Sequence, residues 1–191
     1  MDILSRENLF DILVFILLIA GFIVGYLQGA VRRLIGIIAV TFSLIVAAQL
    51  REALGNFLGA NWGQFPPGYT DLLAFGFLFA LLVIVFAIIV QVYYERGPLL
   101  PRWRYADPLL GGLLGVVQAM LMLGAIILIL DSYFATPSLV VSAAEFSWLR
   151  DLYNAIDASR TADLFRATIF PAVFALIGFF FPEEIRNLYQ R

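Results

Sequence analysis

The sequence predicts an all-α integral membrane protein, with four transmembrane helices arranged as two hairpins. A C-terminal amphipathic helix and a short apolar segment, interfacial or re-entrant, follow them. Three observations predict this class. Four hydrophobic runs take up about half of the 191 residues and leave little chain between them. Each run approaches the ~20 residues that a helix needs to cross a ~30 Å hydrocarbon layer. Hydrophobic residues make up 62% of the chain and charged residues 14%, with a mean hydropathy of +0.94, more apolar surface than a water-soluble fold of this size could hide.

The expected spans are about 9–28, 33–50, 71–94 and 108–130, forming one domain over 1–131 with an appended tail over 132–191. The first run is preceded by Asp2, Arg6 and Glu7 rather than a basic stretch and lacks an Ala-x-Ala-like site, so it reads as a retained helix and not a signal peptide. The segment 51–71 reads as an external loop pinned to the membrane interface by Trp62, Phe65 and Tyr69. Trp103, set between Arg102 and Arg104, makes the matching anchor on the other side, because aromatic rings prefer the headgroup level and arginines reach anionic phosphates. In the tail, 143–156 places Phe146, Leu149, Tyr153 and Ile156 on one side at helical spacing, which predicts an amphipathic helix. The apolar stretch 169–181 has thirteen residues and contains Pro171, short for a span. It reads as interfacial or re-entrant, with a tilted fifth helix from near Arg166 as the alternative.

Arginine placement sets the orientation. Short cytoplasmic loops collect basic residues, and Arg32, Arg33, Arg96, Arg102 and Arg104 fall on one side of a four-span chain, against Arg6 and Arg51 on the other. The connections at 29–33 and 95–107 are therefore expected in the cytoplasm and the N-terminus outside. A fifth span would move the C-terminus inside.

Composition removes much chemistry. With no cysteine and no histidine, thiolate chemistry, imidazole bases and the commonest zinc and haem ligands are missing, so no metal and no cofactor is expected. All twelve basic residues are arginine, which excludes a Schiff-base or P-loop lysine. A net charge of −2 with no basic stripe argues against nucleic acid. No nucleophile, base and orienting group stand together as a set, so no enzyme is expected.

The informative residues inside the membrane are small or polar. Gly21, Gly25 and Gly29 form two G-x-x-x-G steps on one helix face, and Gly111 and Gly115 a third, spacings that let a neighbouring backbone approach closely within one chain or between two copies. A weak likeness between 25–32 and 111–118 relates the two hairpins as parallel repeats. Asp11 is placed at the outer interface, with a buried partner or ion ligand as the sharper reading. Arg32 and Arg33 read as topology anchors on lipid phosphate or as the lining of a polar cavity. Asp107, before Pro108, reads as an N-cap or as an ion-pair partner of those arginines. Gln118 lies well within a span and needs a hydrogen-bond partner, with Gln49 and Gln91 the other polar candidates.

Phe10-Asp11-Ile12 before an apolar helix, the glycines up to Gly29, and Arg32-Arg33 leading into the next span resemble the opening of the colicin V production protein family, the CvpA-like membrane proteins. The second half is similar too. Asp107-Pro108-Leu109-Leu110-Gly111, Gly115, Gln118 and Asp131 sit where that family carries an Asp-Arg-x-x-Gly, Gly-x-x-Arg-Gly pattern, with Pro108 and Gln118 in place of the usual arginines. The resemblance covers the four spans and implies a bacterial inner-membrane protein that supports colicin V-type toxin or peptide production or secretion and envelope maintenance. Its implied partners are the lipid bilayer and itself or other membrane proteins. Two further roles stay open: an oligomeric channel lined by Arg32, Arg33, Gln118 and Asp107, and a scaffold subunit of a larger complex.

Overall fold

The computed structural model describes residues 6–66, 68–93, 106–135 and 145–189, and every regular element among them is helical. Four long helices come first: α1 (Arg6–Gln28), α2 (Ala30–Asn61), α3 (Tyr69–Tyr93) and α4 (Ala106–Phe134). The amphipathic α5 (Ser147–Asp157) leads into α6 (Arg160–Leu164), which continues through a π-helical turn at Phe165–Ile169 into α7 (Phe170–Ile177). A 3-10 turn at Gly178–Phe180 and the short α8 (Glu183–Asn187) complete the order. Among the described residues, five stretches are long and apolar enough to cross a membrane, the four long helices and Arg160–Phe180.

Side-chain patterning explains the helices. α3 is apolar on all sides and keeps Phe77, Ile84, Ile88 and Val92 exposed, as a helix facing lipid must. α5 has the opposite character. Ile156 is buried, Leu149 and Tyr153 pack against the core, and Asp151 stays exposed, as the helical spacing predicts. Phe146 precedes this helix and packs edge-on against Phe65 and at a tilt against Tyr69.

Boundaries differ from expectation at α2. It starts at Ala30, directly after Gly29, whose φ of +83° is a left-handed conformation that an L side chain resists. It then runs to Asn61 instead of stopping near residue 50. No proline stands between Arg51 and Asn61, and Arg51 is buried and paired with Glu184 rather than free in a loop. The expected external loop shrinks to the residues around Gly63, Pro66 and Gly68, after which α3 begins at Tyr69. Tyr69 is also misplaced by the sequence reading. It is fully buried, and its hydroxyl accepts a hydrogen bond from the Phe146 amide at 2.9 Å. The polar loop end and an aromatic ring at 69 resembled an interface anchor, whereas the rings of Phe65, Tyr133 and Phe146 pack against it.

The helices do not pair as the two sequential hairpins expected. α1 packs chiefly on α4, and α2 packs on both α3 and α4, while α1 and α2 scarcely touch beyond their connection. The α1–α4 contact is backbone against backbone. A Cβ added at Gly25 would sit 2.2 Å from the Gly111 carbonyl oxygen, and one at Gly115 would sit 2.1 Å from that of Gly21.

Residues 145–189 fasten to one end of this bundle, where α1 begins and α4 finishes, and reach inward from there beside α4. Thr161 donates through its hydroxyl to Asp11 of α1 at 2.6 Å, and Arg166 pairs with Asp131 of α4 at 2.6 Å. At the other end of the same stretch, the Phe180 carbonyl accepts from Gln49 of α2 at 2.7 Å. Between these ties, Phe165 and Phe170 press against Gly124, where the missing side chain makes room for two rings.

Candidate functional site

At the opposite end of the bundle, the turn between α1 and α2 builds a polar cavity inside an apolar fold. Gly29 reverses the chain, so the first turn of α2 projects Arg32 and Arg33 at once. The Arg33 guanidinium donates through Nη1 to Gln118 Oε1 of α4 at 2.8 Å, and Arg32 donates to Gln91 Oε1 of α3. Gly36 lies one turn on. Any Cβ there would come within 2.7 Å of the Gln118 amide nitrogen, so glycine is what lets Gln118 reach Arg33.

These residues open a cavity of about 240 Å³. Gln28, Arg32, Arg33 and Gln118 form its polar side, and Val83, Phe86, Ala87 and Val90 of α3 form an apolar wall with Ala39 and Val40 of α2. Both arginines meet neutral amides. Among the described residues, neither has a carboxylate within ion-pair distance, and the Arg33 Nε is buried without a hydrogen-bond partner. The first turn of α2 carries no acidic residue, so the positive end of the helix dipole adds to the same field. Asp107 does not line the cavity. It stands in the first turn of α4 with its carboxylate over Gly29, where a Cβ would lie 2.7 Å from its Oδ2.

A family profile described as "Colicin V production protein" matches residues 10–168, most of the chain. The chain belongs to that family. No curated protein and no solved structure matches it significantly.

In this colicin V production family protein the other polar residues fall at the far end of the bundle, where they join elements to one another. Arg166 donates to both oxygens of Asp131, from Nε at 2.9 Å and from Nη2 at 2.6 Å, and through Nη1 to Asp157 at 2.6 Å. The Tyr189 hydroxyl also donates to Asp131, whose side chain is 1% exposed. Burial first, then the negative charge of Asp131, pushes the Tyr189 phenol far above its ordinary pKa. The Tyr153 phenol moves the same way, through burial and the nearby Asp157 and Asp131. A second cluster holds Glu145, which accepts from Tyr133 at 2.9 Å and pairs with Arg150, whose guanidinium also lies over the Phe134 ring.

The sequence-derived candidates thus separate in space. Gly21, Gly25, Gly111 and Gly115 meet at the α1–α4 contact, and Gly29 closes its end. Arg32, Arg33 and Gln118 converge on the cavity. Asp11 lies far from them, holding Thr161. Trp62 is half exposed and packs edge-on against Phe65, while Arg102, Trp103 and Arg104 lie outside the described residues. Sequence reasoning missed the ties that fasten the tail: Asp131 to Arg166 and Tyr189, and Arg51 to Glu184. One signal was available, since Arg166 stands beside a strongly apolar stretch and a charge there needs a partner. Among the described residues, no group of three or more metal-ligating side chains occurs.

Proposed function

We propose that this protein supports production or secretion of a colicin V-type toxin or related peptide, and maintenance of the envelope, as a non-enzymatic multi-pass protein of the bacterial inner membrane. Family membership over residues 10–168 carries this reading. The geometry supports the non-enzymatic part. Charged groups at the tail end are engaged in ion pairs that join the π-helical turn to α4 and α5, and α8 to α2, which is a structural use of charge.

α2 supports a four-span arrangement. Arg33 and Arg51 are eighteen residues apart on one helix, a rise of about 27 Å and close to the ~30 Å hydrocarbon thickness. Each therefore belongs at a headgroup level. The tail meets α2 at the Arg51 level through Glu184 and Phe180, and it meets α1 at Asp11, close to where the helix begins. On this reading 160–180 enters and leaves from the outer side as a re-entrant segment that dips beside Gly124 and Leu44, and both termini face outward. The glycine faces are occupied within the chain, so contact with a second copy or with another membrane protein would use the lipid-facing sides, such as Phe15 and Leu27 of α1 or Phe77 of α3.

The test is deletion of the protein in a host that carries a colicin V-type toxin system. Toxin in the medium is expected to fall. Toxin retained in the cells assigns the step to secretion, and loss from both compartments assigns it to production. Unchanged toxin in both compartments overturns the proposal. The polar cavity favours a second reading, a transport element, which requires several copies around one pathway; the native mass of the nanodisc-embedded protein reports that.

A further inference from the structure

We propose that the cavity between α2, α3 and α4 binds one anionic phospholipid, with its phosphate held by Arg32 and Arg33 and an acyl chain along the α3 wall. The proposal goes beyond the toxin-related role and does not depend on it. Four observations carry it. The two guanidiniums are adjacent on the first turn of one helix, and their side-chain partners are the amides of Gln91 and Gln118. Two cations beside each other, at the positive end of a helix that has no acidic residue in that turn, repel one another and attract an anion. The Arg33 Nε is buried and donates to nothing among the described residues, so the guanidinium charge is only partly compensated within the fold.

The fourth observation selects a lipid among anions. The cavity is polar at the arginines and apolar beyond them, where Val83, Phe86, Ala87 and Val90 face Ala39 and Val40. Free phosphate uses only the first part. A diacyl phospholipid uses both, and Arg33, one headgroup level away from Arg51 along α2, already stands at the depth where lipid phosphates lie. Asp107 does not oppose this, because its carboxylate is over Gly29 on the other side of the turn and is not part of the cavity lining.

Native mass spectrometry of the detergent-extracted full chain, titrated with phosphatidylglycerol or phosphatidylcholine, tests the site. One phosphatidylglycerol per chain is expected to be retained about tenfold more tightly than phosphatidylcholine, the size of one charge-assisted hydrogen-bond pair. The Arg32→Gln, Arg33→Gln double variant should lose that preference. Ala87→Trp provides a second, independent variant, because Ala87 is exposed on the helix surface and its replacement fills the apolar part while leaving both arginines in place. It too should weaken phosphatidylglycerol. Inorganic phosphate supplies the opposing arm. If phosphate displaces the lipid and Ala87→Trp leaves lipid retention unchanged, the site takes a free anion and the lipid assignment falls. Equal retention of the two lipids by the unaltered chain overturns the proposal outright.

Discussion

Asp131 and Arg166 show how one buried pair can fasten the tail over residues 145–189. The carboxylate is almost wholly buried and receives two guanidinium bonds and a phenol, so its lone pairs are well used. Breaking such a pair from one side leaves a charge without its partner, which costs about 3–5 kcal/mol, whereas replacing both members by apolar groups is often near neutral. Asp131→Asn should therefore lower the melting temperature in detergent and expose 145–189 to protease. The Asp131→Leu, Arg166→Leu double variant should recover much of that loss. Equal destabilisation by the single and double variants would show that something other than the unpaired charge sets the cost. Arg51 with Glu184 is the weaker tie, because Glu184 is largely exposed and solvent screens the pair.

At the scale of elements, the α1–α4 contact depends on glycine more than any other joint in the fold. Lipid gives helices no hydrophobic reason to associate, so close backbone approach and dispersion hold them together. At Gly25 the obstacle to a side chain is the Gly111 carbonyl at 2.2 Å, a backbone atom that cannot rotate away. Gly25→Ala should cost about 1–3 kcal/mol, as overpacking does, and Gly25→Leu should fail to yield folded protein. Gly63→Ala meets open space and should be silent, so thermal melts of the three variants measure the contact against a control. A Gly25→Leu chain that stays folded and changes only its oligomeric state would place this glycine face between copies instead. Much of this was legible in the sequence. Apolar run length gave the helices, glycine spacing gave a packing face, and the period of α5 gave its buried side. What was not legible is partner choice among helices, since spacing says that Gly25 must meet a small residue but not that it meets α4. The extension of α2 to Asn61 escaped because hydropathy falls at Arg51, and a polar residue ends a hydrophobic run without ending a helix. The cavity was half legible: Arg32, Arg33 and Gln118 could be named as polar candidates, but Gly36 acquires a role only when α4 is brought alongside α2.

For the whole molecule, the decisive question is which side of the membrane holds the tail, because a partner can reach it from one compartment only. α2 spans about 48 Å from Ala30 to Asn61, well beyond the ~30 Å hydrocarbon layer, so its last turns stand clear of the acyl chains. Those turns begin at Arg51, where Glu184 and Phe180 attach the tail. If 160–180 crossed the membrane like the long helices, one of its ends would lie near the Arg33 level. Instead, Thr161 binds Asp11 near the start of α1, and Phe180 binds Gln49 near Arg51. The chain has no cysteine, so single substitutions report position without background. Gly63→Cys, in open space beyond α2, and Asn187→Cys, exposed on α8, should both react with a membrane-impermeant maleimide on intact cells. Gly97→Cys, in the arginine-rich third connection, should react only after permeabilisation. Labelling of 63 without 187 would require the fifth apolar stretch to cross, and labelling of 97 alone would invert the whole protein. The expected pattern leaves the Arg32–Arg33 cavity at the cytoplasmic leaflet, rich in anionic headgroups, and the charged fastenings of the tail at the outer face.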